Sequence, residues 1–290
     1  MKKQNQEMRT EGIVAKKSKG QNFLTNPYFI NLIVDSAFDL QKTNILEIGP
    51  GMGALTNYIL VKANKLVCVE IDSDLVKYLT VKFKDQNLKV IEADILNLDL
   101  DKLFLTEFFD NNPISIISNI PYYITSPIIF KLLKIKNPKV TEIILMIQKE
   151  VGERIMAQTN SKAYNSFSVV CQFYSDIEKV CLVGRNNFMP VPKVDNVVLK
   201  FKLNKKYPSL KGEEEFINFV RMMFATKRKT ILNNLAGIIN NKTLASDVLL
   251  KLHYSLNLRS ENLSLNDFYI LYNRILAILT KIKKITNKKN

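Results

Sequence analysis

The chain has 290 residues, 47% hydrophobic and 24% charged, ordinary for a globular protein of one large or two modest domains. Its formal charge of +15 sits at the ends, with +4 over residues 1–19, +10 over 205–290 and +1 between them; a near-neutral body with basic flanks suits a polyanion such as nucleic acid. No apolar run approaches the roughly 20 residues of a membrane span, and the Lys- and Gln-rich start has no apolar core behind it, so a membrane partner and a secretory signal are excluded and a cytoplasmic location is expected.

In chain order, residues 1–19 are polar, basic and without periodicity, and read as a disordered basic arm. Gln21-Asn22-Phe23-Leu24 leads to Asn26-Pro27, an N-cap followed by proline at the first helical position. Phe29, Ile30, Ile33, Val34 and Ala37 give that helix an apolar face. A short strand over 44–48 runs into Gly49-Pro50-Gly51-Met52-Gly53, and a helix follows from about Ala54. Strand, glycine turn and helix open a doubly wound sheet. Further strands are predicted over 66–69, ending at Glu70 and Asp72; over 89–93, ending at Asp94; and over 114–118, ending at Asn119. A fifth, 143–147, leads into a helix over 149–157. Gly49, Glu70, Asp94 and Asn119 thus sit at or just past the carboxyl ends of successive strands, the edge where open parallel sheets bind ligands.

Beyond these come a helix over 167–173, a strand over 179–183 and the proline-set loop Phe188-Met189-Pro190-Val191-Pro192. A strand over 197–203 places Leu199, Phe201 and Leu203 on one face and Lys200 and Lys202 on a solvated one. From Lys205 the apolar spacing is helical, at Phe216, Phe219, Val220, Met223 and Phe224 and again from Phe268 to Leu279. The expected organisation is a basic arm (1–19), an α/β domain with a mostly parallel doubly wound sheet (20–204) and a small all-helical domain (205–290) whose Lys-rich end, 281–290, frays. Cys68, Cys171 and Cys181 are odd in number and widely spaced, which fits reduced thiols and no metal site.

The chemistry concentrates at Asn119-Ile120-Pro121-Tyr122. An Asn carbonyl and a backbone carbonyl beside a proline are neutral acceptors, and two acceptors converging on one point can hold an NH2 group. Tyr122 adds a flat face for a base. Gly49-Pro50-Gly51-Met52-Gly53-Ala54 satisfies the G-x-G-x-x-[GA] pattern, so an NAD enzyme is weighed as well. Glu70, positioned to accept ribose hydroxyls, suits either NAD or S-adenosylmethionine (SAM). Asp94, able to accept an adenine amine, favours SAM, and nothing nearby supplies a hydride-transfer partner. His253, the only histidine, falls in the helical region.

These segments, with Gln148-Lys149-Glu150-Val151, the run from Phe188 to Asp195 and Arg228-Lys229-Thr230, resemble the small-subunit rRNA adenine dimethyltransferases over residues 16–275. The resemblance implies a Rossmann-like class I SAM-dependent methyltransferase that dimethylates N6 of two adjacent adenosines near the 3′ end of 16S rRNA. Asn22, Leu24, Gly49, Gly51, Glu70, Asp94 and Asn119 would hold SAM. Asn119, the Pro121 carbonyl, Tyr122 and Phe188 would hold a flipped-out adenine for in-line methyl transfer, the two rings stacking on it from either side. Lys149 and Arg154 on one helix face, with Lys227, Arg228 and Lys229, would contact RNA phosphates. The implied partner is 16S rRNA in the immature small subunit, with a monomeric enzyme and no metal. Tyr123 and Asn196 depart from the family pattern, which usually has Asn and Ser there. The alternatives are an Erm-type large-subunit rRNA methyltransferase and a catalytically inactive assembly or transcription factor on the same fold.

Overall fold

The computed structural model describes residues 21–287, side chains to 280, and the backbone of two short strands, Arg9–Thr10 and Ile13–Val14, which pair antiparallel. The rest of the expected basic arm lies outside the described residues. The chain forms two compact units, one of residues 1–152 with 175–204 and one of 153–174 with 205–290. One boundary falls where the sequence changes character, at 204/205. The other departs from expectation, because 153–174 group with the helical unit and not with the α/β domain.

The first unit is built on a seven-stranded sheet: β1 (Asn44–Ile48), β2 (Lys65–Glu70), β3 (Leu88–Glu92), β4 (Ile114–Asn119), β5 (Val140–Gln148), β6 (Ser175–Val183) and β7 (Asn196–Leu203). Their spatial order is 3-2-1-4-5-7-6. Strands β1 to β5 pair in parallel, and β7 runs antiparallel to both β5 and β6. All five residues of β1 are buried, as befits a central parallel strand covered on both faces. The sheet carries α1 (Pro27–Asp35), α2 (Ala54–Lys62), α3 (Ser73–Lys82), α4 (Leu100–Glu107) and α5 (Thr125–Leu133), and α6 (Lys149–Met156) leads out of it. Short polar side chains start several of these helices. Asn26 accepts from the Tyr28 N–H, Asp72 from Asp74 and Asp99 from Lys102, each satisfying a donor that the first turn leaves unpaired.

In the second unit, α7 (Ser166–Tyr174) joins α8 (Glu213–Phe224), α9 (Ile231–Ile239), α10 (Lys242–Lys251) and α11 (Leu265–Asn287). Aromatic rings knit them: Phe173 lies 5.3 Å from Phe216, Phe216 lies 5.4 Å from Tyr272, and Phe224 lies 5.5 Å from Phe268, centroid to centroid. Helix α11 continues to Asn287, past the point where fraying is expected; residues 288–290 lie outside the described residues. No described helix is long and apolar enough to cross a membrane.

Strand β7 corrects a second expectation. Its lysines do not share a solvated face. Lys202 is exposed, but Lys200 is drawn inward, where its Nζ pairs with Glu142 Oε2 at 2.7 Å and donates to the Ser36 carbonyl at 2.8 Å. The other Glu142 oxygen, Oε1, accepts from the Phe38 N–H and the Ser115 hydroxyl, both at 2.8 Å. The reason is the order of strands. β7 is an interior strand, and alternation alone cannot tell an interior strand bearing an ion pair from an edge strand facing water. Removing one member strands a charge, which costs about 3–5 kcal/mol. Lys200→Met is therefore expected to lower the unfolding free energy by that order in urea titrations, and adding Glu142→Gln is expected to recover much of the loss.

Candidate active site

The strand ends that the sequence singles out converge. Gly49, Glu70, Asp94 and Asn119 all line one pocket of the first unit, together with Gln21, Asn22, Leu24, Gly51, Ile120, Pro121 and Tyr122. It holds about 1010 Å³ of non-atom space, part of it open to solvent.

The turn after β1 forms one wall. Gly49, Gly51 and Gly53 have φ of +63°, +59° and +81°, conformations that other residues adopt with strain. At Gly51 the space is also closed to a side chain, since a Cβ would approach Phe23 Cε1 to 2.9 Å. The backbone itself therefore lines the pocket, and its Gly51 N–H donates to Glu70 Oε2 at 3.3 Å. Glu70 Oε1 accepts from the N–H groups of Ile71 and Asp72, at 2.9 and 3.0 Å. Burial pushes the Glu70 carboxyl above its usual range, and these three donors pull it back. Asp94 is held by the Leu96 N–H at 2.8 Å and by Asn97 Nδ2 at 3.1 Å. These two carboxylates, the open glycine wall and apolar Ile71, Leu75 and Ile95 fit an adenosine-bearing cofactor, with acceptors for hydroxyls and an amine and an apolar slot for a ring.

Asn119, the last residue of β4, donates from Nδ2 to the Asn22 carbonyl at 3.0 Å. This bond fixes which way round the amide sits and so places Oδ1 as the acceptor the side chain offers to a ligand. The Asn22 segment is itself fixed. Phe23–Leu24 pairs antiparallel with Phe188–Met189, and the Thr25 N–H donates to the Asn187 carbonyl at 2.9 Å.

Two assignments shift. The Pro121 carbonyl, expected as the second acceptor, already accepts from the Ile124 N–H at 3.3 Å and the Thr125 hydroxyl at 3.2 Å. Both its lone pairs are engaged in the turn. The carbonyl of Ile120, one residue earlier, accepts no bond from the described residues, and Ile120 lines the pocket. Phe188, expected to stack on a base, is 3% exposed and packs in the core with Leu24, Ile30, Ile33 and Val198. It is absent from the pocket lining, while Tyr122 and Tyr123 are present.

Comparison with known proteins decides the class. A family model described as ribosomal RNA adenine dimethylase matches residues 13–275. The chain belongs to the ribosomal RNA adenine dimethylase family. It is 44% identical to the ribosomal RNA small subunit methyltransferase A of Mycoplasma capricolum, over 90% of this chain and 97% of that one. The enzyme of the same name from Bacillus mycoides is 38% identical, over 91% and 92%. Among solved structures, a dimethyladenosine transferase from Plasmodium falciparum matches with a TM-score of 0.71 and 31% identity, covering 86% of this chain and 95% of that one. The 23S rRNA methyltransferase ErmE shares the fold, with a TM-score of 0.65 at 24% identity, over 87% and 98%. The fold is that of a class I SAM-dependent methyltransferase, and the enzyme class is rRNA adenine dimethyltransferase.

The basic residues expected to meet RNA are exposed. Lys227, Arg228 and Lys229 occupy the turn between α8 and α9 of the second unit. Lys149 and Arg154 fall in different units, and a spacing of five does not align side chains on one helical face.

Beneath the glycine wall lies a buried acid. Glu47, in the middle of β1, accepts from the Thr56 hydroxyl at 2.7 Å and from Cys68 Sγ at 3.4 Å. Burial pushes its carboxyl up from 4.5 to about 7, against the Thr56 and Cys68 bonds. Between those values the folded protein holds a proton that the unfolded chain has released, so stability is greatest at the acid end and falls as pH rises. The loss amounts to as much as roughly 3 kcal/mol and levels off above neutrality. Urea midpoints at pH 5 and pH 8 are expected to show the wild type losing stability relative to Glu47→Gln; parallel pH profiles would remove Glu47 as the cause.

Proposed function

We propose that this protein dimethylates N6 of two adjacent adenosines near the 3′ end of 16S rRNA, acting as a monomer in the cytoplasm on the immature small subunit and as a step in its maturation. The relatives named small subunit methyltransferase A support the substrate. The observation that carries the chemistry is the Asn119 amide, whose nitrogen is tied to Asn22 and whose oxygen is left to accept.

An adenine N6 is a poor nucleophile because its lone pair is delocalised into the ring. Asn119 Oδ1 and the Ile120 carbonyl accept its two hydrogens, which favours a pyramidal nitrogen with the lone pair available for attack. Tyr122 stacks on the base, an interaction worth about 1–3 kcal/mol once the adenine leaves its helix. Bound SAM supplies an electrophilic methyl group. Glu70 holds the ribose hydroxyls, Asp94 the cofactor's adenine amine, and Asn22, Leu24, Gly49 and Gly51 complete its cradle. The remaining rate acceleration comes from fixed position and fixed dipoles, which need no reorganisation during the reaction. Lys149, Arg154 and the 227–229 turn bind phosphates.

Incubation with labelled SAM and unmethylated small subunits, followed by mass spectrometry of mapped nucleosides, is expected to show dimethyladenosine at two neighbouring 16S positions. No label in the small subunit, with label entering 23S rRNA when large subunits are supplied instead, would overturn the substrate. Asn119→Ala is expected to abolish transfer while SAM still binds measurably in calorimetry; full activity in that variant removes Asn119 from the chemistry. Reversing charge at Lys227, Arg228 and Lys229 together is expected to weaken subunit binding and to flatten its salt dependence, the log–log slope falling by about 0.7–0.9 for each phosphate no longer neutralised. Unchanged affinity would clear that turn of an RNA role.

A further inference from the structure

Asn196 opens β7, and its carboxamide is fully buried. Its Oδ1 accepts the Tyr122 hydroxyl at 3.0 Å. Its Nδ2 has no partner, the one such buried side-chain nitrogen or oxygen among the described residues. A buried amide donor without a partner is expensive, so an amide here is poorly explained by stability alone. An apolar side chain would leave no orphan at this position. What the amide supplies is a hold on the tyrosine. Turning it over would still bond the phenol, from Nδ2 to the hydroxyl oxygen.

The platform beneath is rigid. Asn196 is paired on both sides, opposite Gln148 of β5 and Val183 of β6. The residue before it is pinned as well: the Asp195 carbonyl accepts from the Lys149 N–H at 3.0 Å, and Asp195 Oδ1 accepts from the Arg185 N–H at 2.9 Å. The backbone is held at the other end, where the Thr125 hydroxyl shares its one hydrogen between the Pro121 and Tyr122 carbonyls, each at 3.2 Å. The ring is thus held at the backbone and at the para oxygen, which fixes the direction of its long axis. That ring lines the pocket beside Asn119.

We propose that Asn196 is the positioning residue for Tyr122, presetting the place and long axis of the ring on which the target adenine stacks. This rests on the reading of Tyr122 as the stacking surface. Asn196 touches neither cofactor nor base; it acts through the tyrosine hydroxyl.

A double-mutant cycle tests it, using the full chain, unmethylated small subunits and saturating labelled SAM. Tyr122→Phe keeps the ring and loses the bond; Asn196→Ala loses the bond from the other side. Each is expected to lower the single-turnover rate roughly 5- to 20-fold, the scale of one hydrogen bond removed. SAM affinity in calorimetry is expected to stay within about twofold of wild type, because the bond does not border the cofactor residues. The double variant is expected to be no slower than the slower single variant, since both remove the same interaction. Additive losses, or a fall in SAM affinity matching the fall in rate, would show that Asn196 acts through the general fold and overturn the proposal. If Asn196→Ala does not fold, Tyr122→Phe decides alone, and wild-type rate there overturns it. Tyr122→Ala separates the two readings: an inactive Ala variant beside a fully active Phe variant removes only the anchor, whereas a fully active Ala variant removes the stacking role itself.

Discussion

The bond from Asn119 Nδ2 to the Asn22 carbonyl joins residues 97 apart in the chain, and the site depends on it. A carboxamide offers a donor at one end and an acceptor at the other, and without a fixed partner it presents either. The backbone oxygen of Asn22 removes that ambiguity. The segment carrying this oxygen also forms the pocket wall, and the same short strand pairing secures both. Cofactor cradle and amine acceptor are therefore parts of one mechanical element. A displacement of residues 21–24 would disturb both together.

Burial works against negative charge on two of the acids in the pocket wall. Glu47 and Glu70 are buried at adjacent strands, and burial raises both carboxyls. The Gly51, Ile71 and Asp72 N–H groups keep Glu70 serviceable as an acceptor, whereas burial of Glu47 is opposed by the Thr56 hydroxyl and N–H and the Cys68 thiol. The two acids differ in setting: Glu70 sits where chain turns expose backbone donors, and Glu47 sits within β1.

Much of this was legible in the residues. The apolar runs and glycine turn located β1 to β4 to within a residue or two, and four strand ends predicted one crevice because a parallel sheet leaves no other place for them. The shortfalls have physical causes. Strand β5 begins at Val140, earlier than expected, because Glu142 looks like a loop residue until Lys200 is seen to neutralise it. The inward turn of Phe188 depends on its pairing with Leu24, which no local pattern encodes. The engaged Pro121 carbonyl depends on a hydroxyl four residues on, at Thr125. The anchoring of Tyr122 at Asn196 spans 74 positions and appears in the sequence only as an unusual residue after Val194-Asp195.

The second unit is made from two separated stretches, 153–174 and 205–290. Helix α7 is synthesised before β6 and β7, yet its partners, among them Phe216 against Phe173 and Glu213 against the Tyr174 hydroxyl, come afterwards. During translation the emerging chain must therefore carry this helix without its α8 partners until α8 leaves the ribosome. A fragment cut at residue 204 would keep that helix without its Phe216 and Glu213 partners permanently. The α/β part of this enzyme is not separable by a single cut, and exchanging the helical part between relatives would require grafting two segments at once.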